Sequence, residues 1–179
     1  MEVRKGNLIV GAAGGTAGRG ARTFKISLPS AWVQEMGLNA EERQLVLSFD
    51  GEQIVLRKAE SVTAFAEKRL AKGHDVRMLR YYDGSTLCTT ICADFTEQTL
   101  RVENHTTHLV KTAFGKREYP AWEEFLAFLE ERCVPRARAG LREYLQALKL
   151  DEYDPVAIIQ KTAGRMAEDD QWLEMEVLR

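Results

Sequence analysis

Alternating apolar and polar residues mark the first third of the chain, a pattern that is typical of β-strands. Residues 23–28 alternate strictly and predict a strand with one buried face and one polar, partly basic face. Residues 45–49 and 53–57 predict two more strands, because the pair Asp50-Gly51 between them favours a tight hairpin turn. A short apolar run at residues 7–10 precedes these strands.

A short helix is predicted between the first strand and the hairpin. Pro29 suits the first helical position, and Gly37 suits the position just after the last turn. The apolar residues Trp32, Val33 and Met36 lie between them. About sixty residues with so little helix bury too little apolar area to be stable alone. We therefore expect two copies to interleave.

The remainder of the chain mixes strands and helices. The pattern predicts a helix at residues 62–72, then strands at 76–82, 86–93 and 99–104, then helices at 121–133, from Pro135 through Leu148, and from Pro155 to about Gly164. The expected fold is α+β, with a first domain at residues 1–59 and a mixed β-sheet and helical domain at residues 60–179.

Composition places the chain among folded proteins. It has 179 residues, of which 45% are hydrophobic and 29% charged, and its net charge is −2. These values exclude general disorder. Basic residues nevertheless dominate the first thirty positions, where five of them face the single acid Glu2, whereas the last thirty positions are strongly acidic. One end of the chain therefore suits a polyanion and the other repels it.

The expected location is the cytoplasm. No apolar stretch is long enough to span a membrane, and the first residues lack the apolar segment of a signal peptide. Cys88, Cys92 and Cys133 make an odd number of cysteines, which argues for a reduced protein without a disulfide framework.

The stretch 22–38, together with the hairpin 50–58, resembles the AbrB/MazE/SpoVT family of swapped-hairpin DNA-binding domains. The shared features are a basic strand, a Leu-Pro start to a short helix, a Gly at its end and a final hairpin that ends in basic residues. The resemblance implies a dimeric β-barrel built from two interleaved chains and a transcriptional regulator that binds double-stranded DNA. Carried over by position, the implied DNA contacts are Arg22, Lys25 and Ser27 on the outward strand face, with Arg19 and Ser30 near them. The Gly-rich segment 11–20 is longer than the turn usual in that family.

The sequence gives little support for a nucleotide site, a metal site or a catalytic nucleophile. The Gly-rich segment leads into a strand and lacks a phosphate-binding lysine, so no nucleotide cofactor is expected. Cys88, Cys92, His105 and His108 leave a zinc site open, although they lack the usual ligand spacing. The run 168–170 favours a solvated turn over a magnesium site. Cys133 has no histidine near it in the sequence, so no enzyme is predicted.

The second domain carries a looser resemblance to small bacterial proteins that accompany toxins or occur on mobile elements. Its helices contain Trp122 and Phe125, which suit either a plain helical core or a protein-binding module. Arg132, Arg136 and Arg138, together with Arg142, are expected to line part of a helical surface. The predicted function is a homodimeric DNA-binding transcriptional regulator, an antitoxin that regulates its own operon and binds a partner protein through this domain. The alternative is an interaction inhibitor or adaptor from a mobile element that uses the first domain only to dimerise.

Overall fold

The computed structural model describes residues 2–13 and 20–179. The fold is α+β, and the strands of every sheet run antiparallel to their neighbours. The chain divides into two compact units, Met1–Ala59 and Glu60–Arg179.

The described residues of the first unit form two hairpins and one short helix. Strand β1 (Leu8–Ala12) pairs with β2 (Arg22–Ile26), and β3 (Leu45–Phe49) pairs with β4 (Ile54–Lys58). Helix α1 (Ser30–Glu35) connects the two hairpins. The hairpins form separate two-stranded sheets, so the described residues of one chain build no closed barrel.

The ends of helix α1 follow from its sequence, with one difference from the prediction. Pro29 occupies the N-cap position, with an extended ψ of 131°, rather than the first helical position. Gly37 follows the last turn with a φ of +65°, a conformation that glycine adopts without steric cost. The helix is therefore bounded by the two residues that the sequence indicated.

A four-stranded sheet forms the centre of the second unit. Its strands are β5 (Val76–Asp83), β6 (Thr86–Asp94), β7 (Thr99–Asn104) and β8 (Gln171–Val177). Their spatial order is β7-β6-β5-β8, so the last strand of the chain lies beside the first strand of this sheet.

Helices cover the sheet on both faces. Helix α2 (Val62–Leu70) begins at Ser61, whose hydroxyl accepts a hydrogen bond from the Ala64 N–H, and it packs Phe65 against Val76 and Cys92. The other face carries the larger core and is covered by three helices: α3 (Trp122–Glu131), α4 (Leu141–Ala147) and α5 (Pro155–Thr162). The fully buried members of this core include Leu79, Ile91, Phe125, Leu129, Ile158, Ile159 and Leu173.

Two elements of the second unit differ from the sequence prediction. The helix expected from Pro135 begins only at Leu141. Gly140 adopts a left-handed conformation (φ +76°), which a continuous right-handed helix through this residue does not allow. Residues 171–177 form strand β8, where the sequence prediction placed no strand. The acidic residues of this segment alternate with Leu173 and Met175, which is the pattern of a strand with one buried face.

No helix in the described ranges combines the length and the apolar character needed to cross a membrane.

Candidate nucleic-acid interface

The hairpin of β1 and β2 presents two different faces. Directly paired residues point to the same side of a sheet, and neighbouring residues along a strand point to opposite sides. Lys25 pairs with Ile9 and therefore shares a face with Thr23 and Gly11. Ser27 follows the strand directly and is exposed. By the same alternation, Lys25 and Ser27 lie on one side of this hairpin.

Arg22 does not share that face. It belongs to the same alternation as Phe24 and Ile26, and its direct partner is Ala12. The prediction that Arg22, Lys25 and Ser27 form one row is therefore wrong, because an odd separation along a strand reverses the side-chain direction. Arg22 lies at the start of β2, on the apolar side of the hairpin.

The two other predicted contact residues occupy different positions. Ser30 is the first residue of helix α1 and is exposed. Arg19 lies outside the residues that the structure describes. The structure consequently brings Lys25 and Ser27 together, places Arg22 on the opposite face and puts Ser30 at a helix start.

Some basic residues of the first unit are already paired with carboxylates. Arg4 donates to Glu2 at 2.7 Å, and Glu2 also accepts a hydrogen bond from Trp32 Nε1 at 2.8 Å. The Trp32 hydrogen bond and then that of Arg4 lower the pKa of Glu2. Lys58 likewise bonds to Glu42 and donates to the Gly37 carbonyl at 3.0 Å. Neither Arg4 nor Lys58 is free to neutralise a phosphate without first losing a partner.

Other basic residues are unpaired. Among the described residues of the first unit, Arg22, Lys25 and Arg57 take part in no ion pair. Arg57 pairs across the second hairpin with Val46, on the face opposite Leu47 and Leu56. The sequence prediction omitted Arg57 from the contact residues, although the alternation of residues 53–57 could have assigned its face.

Large apolar side chains are exposed on both hairpins. Eight of them are at least 50% exposed, namely Leu8, Ile9, Val10, Phe24, Ile26, Leu47, Phe49 and Ile54. Leu8, Val10, Phe24 and Ile26 share one face of the first hairpin, and Leu47, Phe49 and Ile54 share one face of the second. Leu38 is the one buried apolar side chain in the described part of this unit. A soluble protein rarely leaves so much contiguous apolar surface uncovered.

One cluster in the second unit combines metal-ligand residue types. His74 Nδ1 lies 2.8 Å from Asp94 Oδ2, and His74 Nε2 lies 3.9 Å from Glu97 Oε1. Arg69 Nε is also only 3.2 Å from Asp94 Oδ2, and Lys72 Nζ lies 3.9 Å from Glu97. Two cations already balance the two carboxylates, so the cluster is better explained as an ion-pair network than as a metal site.

Asp94 is the centre of this network. Its side chain is fully buried, and burial alone would raise its pKa. Hydrogen bonds from His74 and from the backbone N–H groups of Glu97 and Thr96 outweigh burial and lower the pKa. The carboxylate therefore joins the β6–β7 turn to the loop that follows helix α2.

The four residues considered for zinc do not form a cluster in the structure. Among the described residues, the cluster of side chains close enough to hold a metal ion is His74, Asp94 and Glu97, and it includes none of the four. Burial and then the nearby charge of Asp94 raise the pKa of Cys92 to about 12, which keeps this thiol protonated. His105 Nε2 instead lies 2.7 Å from the hydroxyl of Thr90.

Cys133 also lacks the properties of a nucleophile. Its thiol is buried and lies 3.2 Å from the Leu129 carbonyl oxygen, as expected for a hydrogen bond that the thiol donates. Burial raises the pKa of Cys133 to about 11, whereas reactive cysteines have a lowered pKa.

Arg132 does not line part of a helical surface, as the sequence predicted. It is buried, and its guanidinium makes a bidentate ion pair with Asp169 at 2.6 and 2.9 Å. It also donates to the carbonyls of Gly164 and Gln171 at 3.1 and 2.8 Å. One residue of the acidic run 168–170 is thus part of a half-buried ion pair that connects the end of α3 to the start of β8.

Comparison of the chain with models of protein families, with curated proteins and with solved structures gave no match.

Proposed function

We propose that this chain is a homodimeric DNA-binding regulator whose first unit pairs with a second copy and contacts double-stranded DNA. The carrying observation is the apolar surface of the two hairpins, on which eight large side chains are at least half exposed. Burying apolar surface contributes about 25 cal/mol per Å². A second copy whose hairpins interleave with these would cover that surface and close the two small sheets into a dimeric barrel.

Lys25 is the principal DNA contact in this proposal. It projects from the polar face of the first hairpin, beside Thr23, and has no ion-pair partner among the described residues. A twofold axis would supply the residue twice, which gives two symmetric phosphate contacts. Ser27 and Ser30 would donate neutral hydrogen bonds to the DNA backbone, and Arg57 would add a cation from the second hairpin.

The second unit would bind a partner protein. In the antitoxin version of the proposal, that partner is a toxin encoded beside this chain, and its binding changes the affinity of the first unit for the operator. This version is supported by the resemblance of the second domain to small bacterial proteins that accompany toxins or occur on mobile elements. No catalytic role is proposed for two reasons. Cys133 is not an activated nucleophile, because its pKa is raised. The carboxylates of the ion-pair network at Asp94 already face two cations, which leaves no open position for a metal.

The test is binding of the purified protein to the DNA upstream of its own gene, measured across a salt series. We expect site-preferring binding that weakens steeply as salt rises, because each neutralised phosphate releases counterions. Lys25→Glu should weaken binding by about tenfold or more and reduce the slope of log affinity against log salt by about 2, one contact per copy.

Lys161→Glu provides the matched control, since it makes the same charge change at an exposed site of the second unit. If Lys25→Glu binds the DNA as tightly as Lys161→Glu, the contact assignment is wrong. If the wild type shows no preference over random DNA at moderate salt, the first unit is a dimerisation device and the adaptor function replaces the regulator.

A further inference from the structure

Strand β7 forms an edge of the central sheet, and the N–H groups on its outward side are unused. The His105 N–H donates to the Cys88 carbonyl at 2.8 Å, and this bond fixes which residues of β7 face strand β6. By the alternation of an antiparallel ladder, the N–H and C=O groups of Leu100, Val102 and Asn104 point away from β6. No hydrogen bond in the described part of the chain uses these three N–H groups. Such an edge is a template for another strand.

Two charged residues on this strand have no ionic partner. Arg101 and Glu103 lie two positions apart, so they share a face of the sheet, and neither forms an ion pair within the described residues. The Arg101 guanidinium lies 5.1 Å from the Phe65 ring and 5.2 Å from the Tyr119 ring. Its Nε is buried without a hydrogen-bond partner, and one terminal nitrogen donates to the Leu100 carbonyl at 2.8 Å.

This arrangement differs from that of the other arginines of the unit that are at least partly buried. Arg69, Arg77, Arg80 and Arg132 each lie within 4 Å of a carboxylate of their own chain. Arg101 is thus a positioned cation that lacks an anion, on the strand whose edge lacks a neighbour.

We propose that strand β7 pairs with the β7 strand of a second copy, antiparallel about a twofold axis at Val102. In this register the outward groups of Leu100 meet those of Asn104 of the second copy, and Val102 meets its own equivalent. The same register places Arg101 directly across from Glu103 of the second copy, and Glu103 across from its Arg101. One backbone alignment therefore satisfies the free N–H groups and pairs all four unpaired charges.

The opposite edge of the sheet does not suit self-pairing. The outward N–H of Leu173 in β8 already donates to the Ala163 carbonyl at 2.7 Å. In an antiparallel pair centred on Met175, Glu174 would face Glu176 of the second copy, which places like charges opposite each other. Arg80 lies between these two carboxylates within its own chain, at 3.4 and 3.1 Å. The β7 edge is therefore the one that carries a self-complementary pattern.

The proposal does not depend on the DNA-binding function and is tested on the full chain. The mass of the wild type is measured by native mass spectrometry and by sedimentation over a range of concentrations. Arg101→Glu and Glu103→Arg should each weaken the β7 interface by about tenfold or more, because each change replaces two attractive cross-strand pairs with two repulsive ones. The mass should then fall to that of the assembly held by the first unit alone, or to a monomer if the first unit does not dimerise.

The decisive variant is the double change Arg101→Glu with Glu103→Arg, which exchanges the charges and restores both pairs in a self-pairing strand. It should recover the wild-type mass, whereas Val102→Pro, which removes an outward N–H, should abolish the interface without disturbing the ladder to β6. If the single reversals leave the mass unchanged at every concentration, or if the double change fails to restore it, β7 does not pair in this way. Either result stands whether or not Lys25 binds DNA.

Discussion

Asp169→Asn should destabilise the second unit strongly. The substitution removes the negative charge from the bidentate pair with Arg132, whose side chain is only 8% exposed, while the arginine remains protonated. Breaking a fully buried ion pair by removing one partner costs about 3–5 kcal/mol. The Asp169 side chain is 33% exposed, so water recovers part of that loss. We expect the free energy of unfolding to fall by about 2–3 kcal/mol at pH 7.

The pH dependence gives this prediction a second readout. The hydrogen bonds from Arg132 lower the pKa of Asp169 below its value in the unfolded chain. A lowered pKa stabilises the fold at pH values above the unfolded pKa, and this contribution is lost as the pH falls through the folded pKa. The stability difference between the wild type and Asp169→Asn should therefore be full at pH 7 and shrink progressively below about pH 4.

The assay is urea denaturation followed by tryptophan fluorescence. In a Trp32→Phe background the remaining tryptophans, Trp122 and Trp172, both report on the second unit. Asp170→Asn is the control, because it removes the same charge from the neighbouring residue, which forms no ion pair in the described part of the chain. A loss below about 0.5 kcal/mol, or one equal to that of the control, would refute the assigned role of the Arg132 pair.

Two further predictions concern the same unit. Gly164→Ala should cost about 1–3 kcal/mol in urea denaturation, because φ is +57° there and the new Cβ would lie 3.2 and 3.3 Å from two neighbouring side-chain carbons. Gly84→Ala has a similar φ of +58° but open space around it, so it should cost about 1 kcal/mol, and equal losses would contradict the packing argument. Cys92 and Cys133 should resist iodoacetamide at pH 8 in the folded protein and react in urea, because burial raises both thiol pKa values. Rapid labelling of either thiol without denaturant, detected by peptide mass spectrometry, would show that it is not buried.

Local patterns in the sequence were sufficient for many of the elements. The strict alternation at residues 23–28 predicted a strand, and strand β2 is present there. The pair Asp50-Gly51 predicted a tight turn, and the second hairpin is present around it. Both patterns depend only on neighbouring residues. The strands β5, β6 and β7 were predicted for the same reason. An isolated α-helix or hairpin carries its own periodicity, which a sequence displays directly.

Arg22 was assigned to the wrong face of strand β2 because its charge was considered and its position in the alternation was not. Basic residues near one another in sequence were assigned to one surface, although the parity of their positions separates Arg22 from Lys25. Parity was available from the sequence and would have corrected the assignment. The sequence therefore indicated the shared face of Lys25 and Ser27 and misplaced Arg22, while the DNA contacts of all three stay a prediction.

Strand β8 and the burial of Arg132 depend on contacts between distant parts of the chain. Residues 171–177 looked like an acidic tail because Glu174 and Glu176 obscure the alternation of Leu173 and Met175. Arg132 and Asp169 are far apart in sequence, and nothing local to either residue indicates the other. Pairings of this kind are set by tertiary packing, which a single sequence does not reveal.

The position of β8 has a consequence for the synthesis of the protein. Strand β5 pairs with β6 on one side and with β8 on the other, where Arg77 lies opposite Val177. Strand β8 can therefore form only after almost the whole second unit has left the ribosome. Until then Tyr81 and Leu79 line an unpaired edge, and Leu173 is missing from the core. Such late, non-local pairing slows folding and leaves the nascent chain open to aggregation. The nascent second unit is therefore expected to need chaperone protection until β8 has been added.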